Sequence, residues 1–323
     1  MSTDLSAQSG GLTAGRGIIP SASSDRVYRL LLTLILGVIG AIVLAFAYVL
    51  FHRSLPGWQF AGLRLFTTFN WSFGTNDISA WPLILGTFVT TGLALLLAVP
   101  VGVGAALAIV YLIPRRLQLL VSSLVELLAV VPSIVYGVWG AFLLAHWLDA
   151  SAQPWLASTF HHSWPFNGIF TGYGIMLGAI VLAVMVLPII TSITRDVVAS
   201  VPRELIEGAL SIGATRGQVI RRVILPSCRT GIVGAVTLAT GRALGETIAL
   251  ATVLGGITNF SPQPTRLFAT GSTLAAEIAI DFGQITGPQG NLLFCLALIL
   301  MVIVGAVSFF ARVIIRRSQR KFQ

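Results

Sequence analysis

Long apolar runs alternate with short polar stretches along the 323 residues of this chain. Six runs, at 30–50, 82–112, 117–145, 172–193, 231–254 and 292–311, have the length to cross a bilayer. Crossing about 30 Å of hydrocarbon takes roughly 20 helical residues. Unpaired backbone groups are costly in lipid, so each run predicts a helix. The second and third contain Pro100 and Pro132, which predict kinks inside a bundle. The fold class is all-α integral membrane protein with six transmembrane helices. Residues 1–29 read as a tail, Gly/Ser-rich and disordered to about Ser24. Residues 30–81 hold the first span and an outer loop, and 82–323 hold the rest, with a long connection at 194–230. No cleavable leader is expected, because the first span is too long and no small-residue motif follows it.

Composition sharpens this picture. The chain is 55% hydrophobic and only 10% charged, too little charge for the surface of a soluble protein this size. Its twenty basic residues are unevenly placed: sixteen fall on one set of connections, and only Arg53, Arg64 and Arg266 fall on the other. By the positive-inside rule both termini are cytoplasmic. The net charge of +9 therefore reports topology, and nucleic-acid binding is not implied. Arg242 is left over, expected in the middle of the fifth span. Cys228 and Cys295 are too far apart in the pattern to predict a disulfide, and two cysteines make no metal site.

The 194–230 connection carries its own pattern. Pro202 and Glu204 suit the first turn of a helix, on which Leu205, Ile206, Ala209 and Leu210 share a face. Gly213 stands where a helix ends in a left-handed turn. Thr215 and Gln218 have the spacing of a capping box opening a second short helix. Val219, Ile220, Val223 and Ile224 give that helix an apolar face, and Pro226 is expected to stop it. Part of this apolar surface can pack on the chain's own helices, and the rest suits a groove on a soluble partner. The only lysine, Lys321, follows no glycine run, so the chain lacks a phosphate-binding P-loop. Any ATP hydrolysis belongs to another subunit.

These residues carry a resemblance. Glu207-Gly208-Ala209, then Gly213, then Val223-Ile224-Leu225-Pro226 resembles the EAA loop of binding-protein-dependent ABC importer permeases, departing at Gly208 for Ala and at Val223 for Ile. The resemblance implies a MetI-like permease fold. It also implies a loop, here Glu207, Gly208, Ala209, Gly213, Leu225 and Pro226, that docks on a separate ATPase and transmits its closure. Further segments are similar to the phosphate-specific permease of PstC type from about residue 80 onward. They are the stretch from Glu126 through Pro132 to Gly140, Leu187-Pro188-Ile189-Ile190-Thr191, Gly241 to Thr247, Leu267-Phe268-Ala269 and Ala275 to Ala279. That likeness implies an inner-membrane heterodimer with a PstA-type permease, two PstB-type ATPases using ATP and Mg²⁺, and a PstS-type phosphate-binding protein outside. It implies no cofactor and no catalytic residue on this chain.

The chemistry of the path can be weighed separately. A charge at the position expected for Arg242 is costly and faces a cavity or a partner. Glu246, four residues on, is expected on the same helix face. One reading is a self-neutralising ion pair. The other is a guanidinium fork that meets phosphate oxygens. Arginine before glutamate is the weaker order for helix support, which favours the second. Glu246 also offers selectivity, since phosphate near neutral pH keeps a proton to donate and sulfate has none. Thr247 and Glu126 complete the expected substrate path, though Glu126 reads equally as the partner of an arginine near the cytoplasmic face. Thr87, Thr90 and Thr91 line the pore or, preferably, bond back to the backbone. Gly102 and Gly104 suit close helix packing. His161 and His162 lack a third ligand. Glu277, Asp281 and Arg266 are expected on the outer loop before the last span, facing a binding protein or solvent.

Other classes fit less well. A permease for another oxyanion or small solute keeps every feature but the cargo. An ion-driven secondary transporter would leave the EAA-like loop without a task and usually shows inverted repeats, of which none stands out. A membrane enzyme would need a catalytic set that the spans do not offer.

Overall fold

The computed structural model describes residues 22–67, 71–72, 77–161, 163–166, 170–256, 266–283 and 290–319. The expected tail lies outside these residues up to 21. From Ala22 the chain is helical rather than tail-like. Helix α1 (Ala22–Ala61) overruns the expected first span at both ends. A short α2 (Arg64–Thr67) and a small hairpin, β1 (Trp71–Ser72) against β2 (Asp77–Ile78), follow it. Then come α3 (Trp81–Tyr111), α4 (Arg115–Val130), α5 (Ser133–Thr159) and α6 (Ile175–Ala199). The chain continues as α7 (Arg203–Ser211), α8 (Arg216–Leu244), α9 (Ile248–Val253), α10 (Leu274–Asp281) and α11 (Gly290–Gln319). Among the described residues five helices are long and apolar enough to cross a membrane, and α4 with α5 makes a sixth if the bent pair is one span.

The chain divides into two units, Met1–Val49 and Leu50–Gln323. In the first, the helix exposes Leu30, Ile35, Leu36, Val43 and Phe46 around its circumference, the surface of a lipid-embedded helix. In the second, α6 is the central element. Its Leu177, Val181, Leu182, Val186 and Ile190 are buried in one cluster with Ala94 and Ala98 of α3, Tyr136 and Leu148 of α5, Ala239 and Ala243 of α8, and Leu250 and Val253 of α9. Small residues let the helices approach, as lipid-embedded packing requires. A Cβ on Gly102 would meet Ile190, and one on Gly231 would meet Val197. Gly104 faces open space instead, so only one of the two glycines serves the packing expected of both. The segment before α10 closes the start of α6: Ala269 and Leu267 carbonyls accept the amides of Ile175 and Met176. Those amides have no partner within their own helix.

Two expected spans change shape. The third is not a kinked helix but two helices at 89°. Proline pushes its predecessor out of the helical region, and Val131 accordingly takes ψ 128°. Pro100, by contrast, lies inside an unbroken α3. The fifth span ends at Leu244, and the chain resumes as α9 only at Ile248. At its other end α8 begins at Arg216, so the expected second loop helix is the first turns of a membrane helix. Pro226 does not stop it. A π turn at Ile220–Ile224 precedes the proline, with the Leu225 amide donating to the Ile220 carbonyl. Pro226 thus enters at the first turn of the regular helix that follows, where a missing amide costs least.

Candidate functional site

Two helix breaks lie on packed partners. One is Val131–Pro132, between α4 and α5. The other is Gly245–Thr247, between α8 and α9. A Cβ on Gly137 of α5 would strike Thr252 Oγ1 and the Ala249 backbone of α9, so glycine is what lets these two segments touch.

Arg242 sits in the last turn of α8, not at mid-span, and is exposed. Its α8 neighbours Ala239 and Ala243 share a buried cluster with Tyr136 of α5. Arg242 makes no ion pair with Glu246. Gly245 ends the helix with ψ 3°, so the chain leaves the helical path before Glu246, and the shared face expected for the two residues does not form. Glu246 is 7% exposed and its Oε1 accepts the Ala249 amide at 3.3 Å. It caps α9, whose first turn has free amides. Thr247 is half-buried at the N-cap position of α9, without a side-chain cap bond. Arg242, Glu246 and Thr247 therefore cluster around one break.

Glu126 stands apart. Its Oε1 accepts from Arg195 of α6 at 2.9 Å, and Arg195 also donates to Asp196 at 2.7 Å. Glu126 and Arg195, with Arg115, Gln118, Ser122 and Ser123, line a groove of about 350 Å³ that does not include Arg242. Thr87 donates to the Leu83 carbonyl at 2.7 Å and accepts the Leu274 amide at 3.0 Å, fastening α10 to α3. Thr90 and Thr91 are buried. Glu277 is not on a solvated loop: it is 6% exposed, in the first turn of α10. His162 lies outside the described residues. Tyr136 escaped the sequence reading, although a tyrosine four residues after a mid-span proline was visible there. Nothing along the chain links Glu126 to Arg195.

The 194–230 connection divides its apolar face. Ile206 and Ala209 pack on Val198, Val219, Ile224 and Cys228. Leu205, Leu210 and Ile212 stay exposed, Ile212 at 87%. Glu207, Gly208 and Pro226 are also exposed, and Leu225 is half-buried. Gly213 is left-handed, φ +85°, and the capping box of Thr215 with Gln218 is complete.

Comparison with known proteins fits this division. A family model described as binding-protein-dependent transport system inner membrane component matches residues 98–321. The phosphate transport system permease protein PstC of Mesorhizobium japonicum is 39% identical over 310 residues, covering 94% of this chain and 93% of the relative. The chain belongs to the PstC family of binding-protein-dependent permeases. PstC proteins of Xylella fastidiosa (35% identical, 96% of each chain) and PstC 1 of Mycobacterium tuberculosis (36%, covering 88% of this chain and 92% of that one) agree. The fold is that of an ABC importer permease. A bacterial alginate ABC transporter aligns with TM-score 0.55 at 18% identity, covering 91% of this chain and 96% of that one. A PstC-family chain is a multi-pass transport subunit, and an ABC permease works with an ATPase and a binding protein.

Proposed function

We propose that this chain is the transmembrane permease subunit of an ATP-driven importer of inorganic phosphate, forming the path by alternating access. The observation that carries this reading is Arg242: a guanidinium at a helix break, exposed and unpaired among the described residues, in a chain 39% identical to a PstC protein. An intramembrane charge without a partner in its own chain faces a water-filled cavity or another subunit. A guanidinium there presents two parallel N–H groups to two phosphate oxygens. Glu246 and Thr247 belong to the same stretch of path, Glu246 also holding α9.

The full assembly pairs this chain with a PstA-type permease, two PstB-type ATPases that bind ATP and Mg²⁺, and a PstS-type phosphate-binding protein. The chain sits in the bacterial inner membrane with both termini cytoplasmic, as the sixteen-to-three distribution of basic residues favours. The ATPase docks on Leu205, Leu210 and Ile212, the apolar side chains that α7 and its turn leave uncovered. Glu207, Gly208, Ala209, Gly213, Leu225 and Pro226 form the frame of that surface.

The test is binding-protein-dependent phosphate uptake by the purified complex in liposomes. Arg242→Lys keeps the charge and loses the fork, so uptake should fall about tenfold or more. Arg242→Gln should abolish it with the complex still assembled. Near-normal uptake by Arg242→Gln would overturn the reading.

A further inference from the structure

The break between α4 and α5 has a backbone account to settle. In a helix the amide of residue i donates to the carbonyl of i−4, so the Leu128 carbonyl would take its bond from residue 132. Pro132 has no amide to give. In lipid an orphaned carbonyl has no water to turn to. The structure supplies a substitute: the Tyr136 hydroxyl donates to the Leu128 carbonyl at 2.8 Å. Tyr136 belongs to α5 and Leu128 to α4, so this bond spans the 89° bend.

The same residue stands among the walls of the candidate path. Its ring is buried in the cluster that holds Ala239 and Ala243 of α8, on either side of Arg242, and Ala249 of α9. One residue further along, Gly137 is a point of close approach between α5 and α9. Whatever sets the angle of α5 therefore also sets α9, whose first turn Glu246 caps. On the other side of the bend, α4 is tied to α6 by the Glu126–Arg195 pair. The Tyr136–Leu128 bond spans the bend itself, beside the packing of α6 on α5 and α9.

We propose that Tyr136 is a positioning residue for transport: its hydroxyl replaces the amide that Pro132 lacks, holds the α4–α5 break at its right angle, and so fixes where the α5–α9 pair stands relative to Arg242. The transport consequence rests on the path reading above, whereas the bond itself does not.

The experiment uses the complete transporter in liposomes, with spin labels at Leu124→Cys and Phe142→Cys. Both native side chains are exposed, and the native Cys228 and Cys295 are buried out of reach. At a rise of 1.5 Å per residue the two sites are about 27 Å apart along a straight helix and about 19 Å at a right angle. Tyr136→Phe removes one oxygen and keeps the ring. It should move the distance distribution towards the longer value and lower maximal uptake about fivefold, with half-saturating phosphate changed less than twofold. A thermal-unfolding cycle isolates the cause. Tyr136→Phe should lower the melting midpoint when Pro132 is present and cost nothing further in a Pro132→Ala background, where a restored amide serves Leu128. An unchanged distance, wild-type uptake, or an equal cost in both backgrounds would overturn the proposal. A lengthened distance together with normal uptake by Arg242→Gln would sink the phosphate path but uphold the bond.

Discussion

Arg242, Glu246 and Glu126 are the three charges whose placement decides what the membrane part of this protein does. Apolar periodicity continues past Gly245 into Ile248–Val253, so the sequence gives no sign that the helix stops, and Glu246 reads as a neighbour of Arg242. The break sends Glu246 to the Ala249 amide instead. A self-neutralising pair is thereby removed, which makes a sharp forecast possible. Were the two charges partners, neutralising both would restore function, because each single change strands the other charge. They are not, so the Arg242→Gln, Glu246→Gln double variant should assemble and stay as inactive in phosphate uptake as Arg242→Gln alone; recovery of uptake would return Arg242 to a structural role. Glu126 calls for the opposite expectation. It is solvent-exposed, and Arg195 retains Asp196 as a second partner. Exposed pairs contribute about 0–1 kcal/mol. Glu126→Gln should therefore keep at least about half of wild-type uptake, and a loss beyond about tenfold would place Glu126 in the path after all.

At the scale of elements, legibility followed the range of the interactions. The capping box of Thr215 with Gln218 and the left-handed Gly213 are settled within a few residues, and both were visible along the chain. Pro100, Pro132 and Pro226 look alike in sequence yet end differently. The first lies inside a continuous helix, the second sits at a right-angled break, and the third follows a π turn that shifts the hydrogen-bond register. A carbonyl freed by a proline can be taken up by a distant group. At Pro132 that group is Tyr136, and sequence spacing alone does not assign it. The coupling loop allows a test of conformation apart from packing. Nothing lies within 4 Å of a Cβ built on Gly213, so a substitution there costs only the left-handed backbone, about 1–2 kcal/mol for most residues and less for asparagine. Gly213→Val should uncouple ATP hydrolysis from uptake or loosen the ATPase, and Gly213→Asn should stay near wild type. Equal behaviour of the two variants in ATPase stimulation would argue against a turn-dependent coupling surface.

At the scale of the whole molecule, one central helix organises the second unit, and charge at its margins organises the topology. Residues buried in α6 share a core with helices before it, α3 and α5, and after it, α8 and α9, so the bundle around it forms only when its neighbours are in place. The six-span count survives, with the α4–α5 pair counted as one. Since the pair is bent by 89°, hydropathy does not say whether it crosses or re-enters, and side assignment for α5 falls to the basic residues. On the proposed orientation the turn after α7 is cytoplasmic and the end of α5 is external. Gln153 is unsuited to report on this, being fully buried with its side-chain oxygen accepting the Gly172 amide at 3.2 Å. Ser158 and Ser211 are exposed at opposite candidate faces. In intact cells a membrane-impermeant thiol reagent should label Ser158→Cys and leave Ser211→Cys unlabelled until the membrane is opened. The reverse pattern would move the surface of Leu205, Leu210 and Ile212 away from any cytoplasmic ATPase, either because the chain is inverted or because the α4–α5 pair re-enters instead of crossing. Labelling of both positions from outside would mean that α6, the apolar helix between them, does not cross the membrane.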